Sequence, residues 1–149
     1  MTMSDDLTAV EVDQFYPHPP AKVWRALTTP ELMSRWLMEP EGFEPVLGCR
    51  FSMRAKPIPA VNFSGEVACE VLEVIEAERL QISWADATAA NPADWRITWS
   101  LRPEGRGTRV LLRHSGFDPD DPMQQLSRRM MGGGWPTVAR NLGKALDAL

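Results

Sequence analysis

The two histidines are the side chains of this sequence best suited to act as a base near neutral pH. His18 lies in the proline-rich stretch YPHPP, where an exposed side chain without a role is expected. His114 ends the stretch VLLRH, whose alternation is typical of a strand and turns the imidazole toward the core. A buried imidazole usually finds a hydrogen-bond partner and does nothing further, so a structural His114 is the first interpretation. The alternative is an enzyme of the cyclase or hydrolase type, with His114 as general base and Asp118 or Glu70 assisting.

Other residues that could do chemistry lack the necessary spacing. Ser115 follows His114 directly, and adjacent strand residues point to opposite faces, so they cannot pair as nucleophile and base. Cys49 and Cys69 lack the Cys-x-x-Cys spacing, and reduced structural thiols are expected. Neither a His-Glu-x-x-His nor a Gly-x-Ser-x-Gly motif occurs. The sequence therefore predicts no metal, no cofactor and, in the first interpretation, no catalytic residue.

The stretch MMGGGWPTV raises the possibility of a phosphate-binding loop. The spacing Gly-x-x-x-x-Gly-Lys-Ser/Thr is not met, and the glycines follow helical residues where a nucleotide fingerprint would follow a strand. A mechanical interpretation is favoured instead. Gly132 can end one helix and Pro136 can begin the next, because glycine suits a helix end and proline suits a first helical turn. If one helix ran through, Pro136 would remove the hydrogen bond to the Gly132 carbonyl and kink it, so a bend between Met131 and Pro136 is expected either way. The resulting bend would direct Trp135 toward the core.

The acidic stretch DPDDPMQQL predicts the start of a helix. Asp121 is suited to the N-cap, Pro122 to the first helical position and Gln124 to the third, which together form a capping box. A calcium loop would need a different ligand spacing and a closing glutamate, so capping is the preferred interpretation.

Composition limits the class of protein. The chain has 149 residues, 44% of them hydrophobic and 24% charged, which predicts one globular domain over residues 1–149. The net charge of −4 and the scattered basic residues argue against nucleic acid. Neither a membrane span nor a signal peptide is recognisable, so a cytoplasmic protein is expected. Six Trp and eight Met suit a pocket for apolar ligands, although filling an ordinary core is the default interpretation.

Hydrophobic periodicity predicts an α+β fold. A strand over residues 7–16 is followed by two short helices that meet at Thr28-Thr29. About six further strands fill residues 43–115, and a long helical segment ends the chain. An antiparallel sheet of about seven strands with its helices on one face accommodates these elements, with the last helix across the concave side.

Read in this order, the chain resembles the activators of heat-shock protein 90 ATPase. These proteins belong to the helix-grip superfamily, together with START domains and birch-pollen-allergen-like proteins. The stretches that carry the resemblance are PPAKVWRALTTPELMSRWL (19–37), EVLEVIEAERLQISW (70–84), WSLRPEGRGTRVLLRHSGF (99–117) and GWPTVARNLGKAL (134–146).

The resemblance implies a curved sheet around the last helix and a cavity between them for apolar molecules, with His114 setting ligand orientation. Trp36 and Met38 are expected to close one mouth of the cavity. The predicted ligand-binding residues are Trp36, Met38, Phe51, Met53, Trp84, Trp95, Trp99, His114, Gly116, Met131, Trp135 and Val138.

Functions within this superfamily include lipid carriage, polyketide cyclisation and resistance by sequestering a reactive natural product. We expect a non-enzymatic binder of a hydrophobic, aromatic or polyketide-like molecule. A sharper version is self-resistance to an enediyne, with Gly116 and the glycines at 132–134 reacting in place of DNA. A stress-response role beside a chaperone ranks third, because the second domain that the eukaryotic co-chaperones use is not expected here.

Overall fold

A computed structural model describes residues 6–149. Seven strands, three α-helices and one short 3-10 helix follow one another in this part of the chain. The strands are β1 (Ala9–Tyr16), β2 (Pro40–Glu41), β3 (Arg50–Arg54), β4 (Glu66–Ile75), β5 (Arg79–Asp86), β6 (Trp95–Glu104) and β7 (Gly107–Ser115). The helices are α1 (Pro20–Thr28), α2 (Pro30–Trp36), the 3-10 helix (Pro59–Val61) and α3 (Pro122–Asp147).

The strands form one open antiparallel sheet in the order β1-β7-β6-β5-β4-β3-β2. Strand alternation decides which residues face the core: Ile97, Trp99 and Leu101 of β6 are buried, as are the alternate residues of β5 and β7. The register between β4 and β5 shifts between Val71 and Glu73. Such irregularities bend a sheet and increase its twist. The predicted α+β architecture is confirmed.

The face of the sheet that points away from the core is polar, and ion pairs join neighbouring strands on it. Glu66, Glu70 and Glu73 of β4 lie 3.6 Å from Arg54, 3.4 Å from Arg50 and 2.5 Å from Arg79, respectively. Pairs this exposed contribute little free energy, since water screens them.

Helices α1 and α2 begin where the prolines predict. Pro19 is the N-cap of α1, and Thr29 is the N-cap of α2 with Pro30 following it. Both helices bury one side, and the Trp36 indole donates to the carbonyl of Ala26 at 2.9 Å, which joins the two.

Helix α3 corrects the predicted break at the glycines. One α-helix runs from Pro122 to Asp147, with Pro136 inside it. Gly132 has no positive φ, so it does not end a helix, and Pro136 does not begin one. Tertiary packing explains the continuity: buried residues before and after the glycines hold both halves against the core, which outweighs the weak helix propensity of this stretch.

The capping box is half correct. Asp121 accepts from the backbone amides of Met123 at 2.9 Å and Gln124 at 3.4 Å, as predicted. The Gln124 side chain does not return to Asp121 and accepts two other hydrogen bonds, described below.

Candidate functional site

A pocket of about 410 Å³ opens beside the first half of α3. Its far wall is the end of β5, continued by the loop before β6. The segment between β3 and β4 closes its third side. The residues that line it are Met38, Ala55, Ile58, Val61, Asn62, Phe63, Trp84, Ala85, Asp86, Ala89, Asn91, Ala93, Trp95, Asp121, Met123, Gln124, Ser127, Met130 and Met131.

The segment between β3 and β4 is shaped by its prolines and by one asparagine. Pro59 begins the 3-10 helix, and Asn62 ends it in the left-handed conformation, with φ at 56°. The backbones of Ile58 and Phe63 pair across this turn, with N–H to O distances of 2.9 and 3.0 Å. Asparagine tolerates this conformation better than most residues. The turn thereby presents apolar side chains to the pocket.

Gln124 organises the edge of the pocket next to α3. Its side-chain oxygen accepts from the Trp95 indole at 3.2 Å and from the Asp118 backbone amide at 2.8 Å. This one group joins the start of β6, the loop after β7 and the first turn of α3. The Trp95 ring is fixed in the wall as a result.

Asp86 is the best-anchored carboxylate of the pocket. Its oxygens accept from the backbone amide and hydroxyl of Ser64, at 2.6 and 2.8 Å, and from those of Thr88, at 2.8 and 2.9 Å. Burial tends to raise the pKa of Asp86, but the hydrogen bonds from Thr88 and Ser64 together outweigh this effect and lower the pKa to about 2. The group is therefore a carboxylate at neutral pH.

His114 lies deeper than the pocket, in a cluster of aromatic rings. Its Nδ1 accepts from the Trp135 indole at 3.0 Å, so the ring proton sits on Nε2, which has no hydrogen-bond partner among the described residues. The Phe117 and Trp95 rings lie 4.5 and 5.3 Å away, between centroids. Burial lowers the pKa of His114 to about 3. The imidazole is neutral and a weak base.

The carboxylates suggested as partners of His114 lie elsewhere. Glu70 sits on the polar face of the sheet beside Arg50, whereas the His114 side chain points to the other face. Asp118 is exposed, and its Oδ1 accepts from the Asp120 amide at 2.9 Å. The described residues thus give the enzymatic alternative no assembled acid–base pair.

Of the twelve residues predicted from the sequence, four line the pocket and eight, Gly116 among them, do not. The four are Met38, Trp84, Trp95 and Met131. The buried ones outside it are Trp36, Phe51, Met53, Trp99, His114 and Trp135. Half-buried Val138 borders a void of only about 10 Å³ between sheet and helix.

Side chains therefore fill the centre of the space between the sheet and α3, which we call the grip, and the open space lies toward the N-terminal end of α3. Trp36 packs edge-on against Trp99, with centroids 5.9 Å apart, and does not reach the mouth. Trp99 meets Trp135 at 6.4 Å.

The predicted glycines do not line the pocket. Gly116, with φ at +98°, packs against the Asp94 backbone. A Cβ atom added to Gly132 would lie 3.8 Å from the Val10 side chain. A Cβ atom added to Gly133 or Gly134 would meet nothing within 4 Å. Of the four, only Gly116 has a backbone conformation that favours glycine.

Sequence reasoning missed the loop residues of the site, notably Ile58, Phe63 and Ala93, and it missed Met123 in the first turn of α3. Irregular segments carry no periodicity that would assign a side to them. The available signal was the clustering of methionines near the start of α3, at 123, 130 and 131.

The described residues offer no metal site and no membrane span. No group of three or more His, Cys, Asp or Glu side chains is gathered to hold an ion in residues 6–149. In the same part of the chain, no helix has the length and apolar character needed to cross a bilayer.

The sequence and the fold were compared with those of known proteins. No curated protein matches the sequence. Among solved structures, protein MLL2253 from Mesorhizobium loti is 34% identical, with a TM-score of 0.79 over 94% of this chain and 97% of that one. CalU16 from Micromonospora echinospora is 25% identical, with a TM-score of 0.73 over 93% and 75%. DynU16, a protein in the dynemicin biosynthetic locus, is 20% identical and shares the fold, with a TM-score of 0.75. The match covers 97% of this chain and 48% of DynU16.

The family model for Activator of Hsp90 ATPase homolog 1-like protein matches residues 17–147. That match takes in every element from α1 to α3, and the fold is one that binds ligands. The chain belongs to the Activator of Hsp90 ATPase homolog 1-like family.

Proposed function

We propose that this protein binds a hydrophobic small molecule, aromatic or polyketide-like, in the pocket beside α3, without transforming it. The observation that carries the proposal is the pocket of about 410 Å³ with indole and thioether walls. A cavity of this size is within the usual range for small-molecule sites, which are mostly apolar with a few polar groups.

The wall chemistry supports an aromatic ligand. Trp84 and Trp95 present ring surfaces, and four methionines supply flexible, polarisable side chains that adapt to the shape of a ligand. Of the four, Met123 and Met130 remain 40% and 41% exposed, so their side chains are accessible to a ligand that enters the pocket.

Tryptophan fluorescence tests the proposal directly. Titration with methylanthracene and a polyketide-derived anthraquinone should quench emission from Trp84 and Trp95 saturably. Ala93→Phe places a ring in the pocket and should weaken binding at least about tenfold, because the ring takes the volume of the ligand. Ala90→Phe, in the same loop but outside the pocket, should bind like the wild type. If no probe binds, or if both variants bind equally, the proposal is wrong.

A finer form of the proposal is sequestration of a reactive natural product. Its support is the structural likeness to DynU16, whose locus makes dynemicin, together with an aromatic pocket that would shield a ligand from water. A stoichiometric amount of the protein should then protect plasmid DNA from an activated enediyne. DNA cut at the usual rate would exclude sequestration and leave the binding of unreactive ligands.

A further inference from the structure

The charged residues that line the pocket are all negative. Asp86 and Asp121 are the charged residues among the nineteen that line it, and no lysine or arginine is present in that set. The remaining polar groups are the neutral Asn62, Asn91, Gln124 and Ser127. A ligand entering the pocket thus meets negative charge and neutral dipoles.

Basic side chains near the pocket are directed elsewhere. Arg54 lies 3.6 Å from Glu66 and Arg96 lies 3.9 Å from Asp94. Arg128 donates to the Gln125 side-chain oxygen at 2.9 Å. Lys56 and Arg129 are exposed and line no part of the pocket. Among the described residues, no lysine or arginine lines the pocket to pair with an anionic group of a ligand.

The start of α3 would ordinarily attract an anion, because its first amides are unpaired and the helix dipole is positive there. Asp121 removes that attraction. Its Oδ1 accepts from the amides of Met123 and Gln124, and its negative charge opposes the dipole. A carboxylate or phosphate in the pocket would therefore find neither a free donor nor a favourable potential at this helix end.

The aromatic walls add a preference of the same sign. The faces of Trp84 and Trp95 carry negative potential, which attracts an organic cation within reach of an indole face. Asp86 is rigidly held by Ser64 and Thr88, so its position is fixed before a ligand arrives. Preorganised groups of this kind lower the entropic cost of binding.

We propose, on the basis of the binding function above, that the pocket selects an apolar aromatic molecule bearing a protonated amine and rejects fatty acids and other anionic amphiphiles. Asp86 and Asp121 set this preference. The apolar body of the ligand lies between the two indoles and the methionines, and the ammonium faces the carboxylates.

Three probes of one shape test the inference: anthracenylmethylamine, methylanthracene and anthracene carboxylate. Affinity at neutral pH and low salt should fall in that order, with the amine binding at least about tenfold more tightly than the carboxylate. Added salt should narrow the gap, because ions screen the carboxylates at the rim.

Charge-removing variants identify the residues. Asp86→Asn and Asp121→Asn should each weaken binding of the amine between about three- and tenfold and weaken binding of methylanthracene less, so that the ratio of the two affinities falls. Asparagine caps a helix about as well as aspartate, so Asp121→Asn retains α3. Glu76→Gln removes an exposed charge in the β4–β5 turn and serves as the control.

The outcomes separate this inference from the proposed function. If methylanthracene binds and the anthracene carboxylate binds as tightly as the amine or more tightly, the charge preference is overturned. The pocket remains a binding site in that case. Unchanged amine affinity in both aspartate variants, with melting temperatures like the wild type, also overturns it. Failure of all three probes to bind overturns the function and the inference together.

Discussion

At the scale of single residues, the orientation of His114 was predictable and its environment was not. The alternation of VLLRH correctly turned the imidazole inward. The Trp135 indole that donates to it comes from α3, 21 positions further along the chain, and no local pattern reports such a contact. Pairing of buried polar groups is settled by tertiary packing, so sequence periodicity predicts the burial and leaves the partner open.

Burial of neutral His114 makes stability depend on pH. The pKa of His114 falls from 6.5 in the unfolded chain to about 3 in the folded one, so the unfolded state binds more protons between these values. Its contribution to stability is complete above pH 6.5 and is lost as pH falls toward 3. Relative to His114→Gln, the wild type should lose about 1.4 kcal/mol of unfolding free energy per pH unit in this window.

Urea unfolding of both proteins at several pH values measures this difference. Carboxylates titrate similarly in the two proteins, so the comparison cancels their contribution. Parallel pH profiles would mean that His114 becomes protonated in the folded state without cost.

At the scale of elements, helix starts were well predicted and helix continuity was not. Pro20, Pro30 and Pro122 each begin a helix, since proline suits the first turn whatever the tertiary context. Gly132 and Pro136 favour a break only locally. The packing of Trp135, Ala139 and Leu142 on the core keeps α3 continuous, which a local interpretation cannot anticipate.

The glycines in the middle of α3 leave it less stable than it could be. Gly133 and Gly134 have helical φ, and an added Cβ would meet nothing within 4 Å. Gly133→Ala and Gly134→Ala should each raise the free energy of unfolding by about 0.5–1 kcal/mol, because alanine loses less backbone entropy. Chemical denaturation measures the gain.

Gly116→Ala provides a contrast of opposite sign. Its φ of +98° strains an L-residue, and its Cβ would collide with the Asp94 carbonyl, so this variant should be destabilised by more than 1 kcal/mol, roughly the strain of a left-handed alanine. A loss of stability in Gly133→Ala or Gly134→Ala would show that those glycines meet a need that the helix geometry does not reveal.

At the scale of the whole molecule, the sequence predicted a sheet curved around the last helix, and the open volume lies nearer the N-terminal end of α3 than most of the predicted site residues do. Period-two strands and a terminal amphipathic helix define the layers, and these were correct. The size of the tryptophans decides what remains between the layers. Trp36, Trp99 and Trp135 fill the centre, so the open volume moves to the end where the loops diverge. Volume balance among distant side chains is not encoded in any short pattern.

This division of the molecule predicts that stability and binding respond to different residues. Trp135→Phe removes the indole that bonds His114 in the filled centre and should cost about 2–3 kcal/mol, while affinity for methylanthracene stays within about twofold. Met130→Ala trims an exposed pocket residue and should change the unfolding free energy by less than about 0.5 kcal/mol. Its affinity for the same probe should fall several-fold, because apolar contact area is lost.

Chemical denaturation gives the unfolding free energy of each variant, and fluorescence titration gives its affinity for methylanthracene. The opposite distribution, with Trp135→Phe abolishing binding at temperatures where it is folded, would place the ligand in the centre of the grip. The aromatic cluster around His114 would then have to open to admit it. If the predicted distribution holds, the packed centre maintains the fold, and the pocket can change its ligand through the loops and the first half of α3 at little cost to stability.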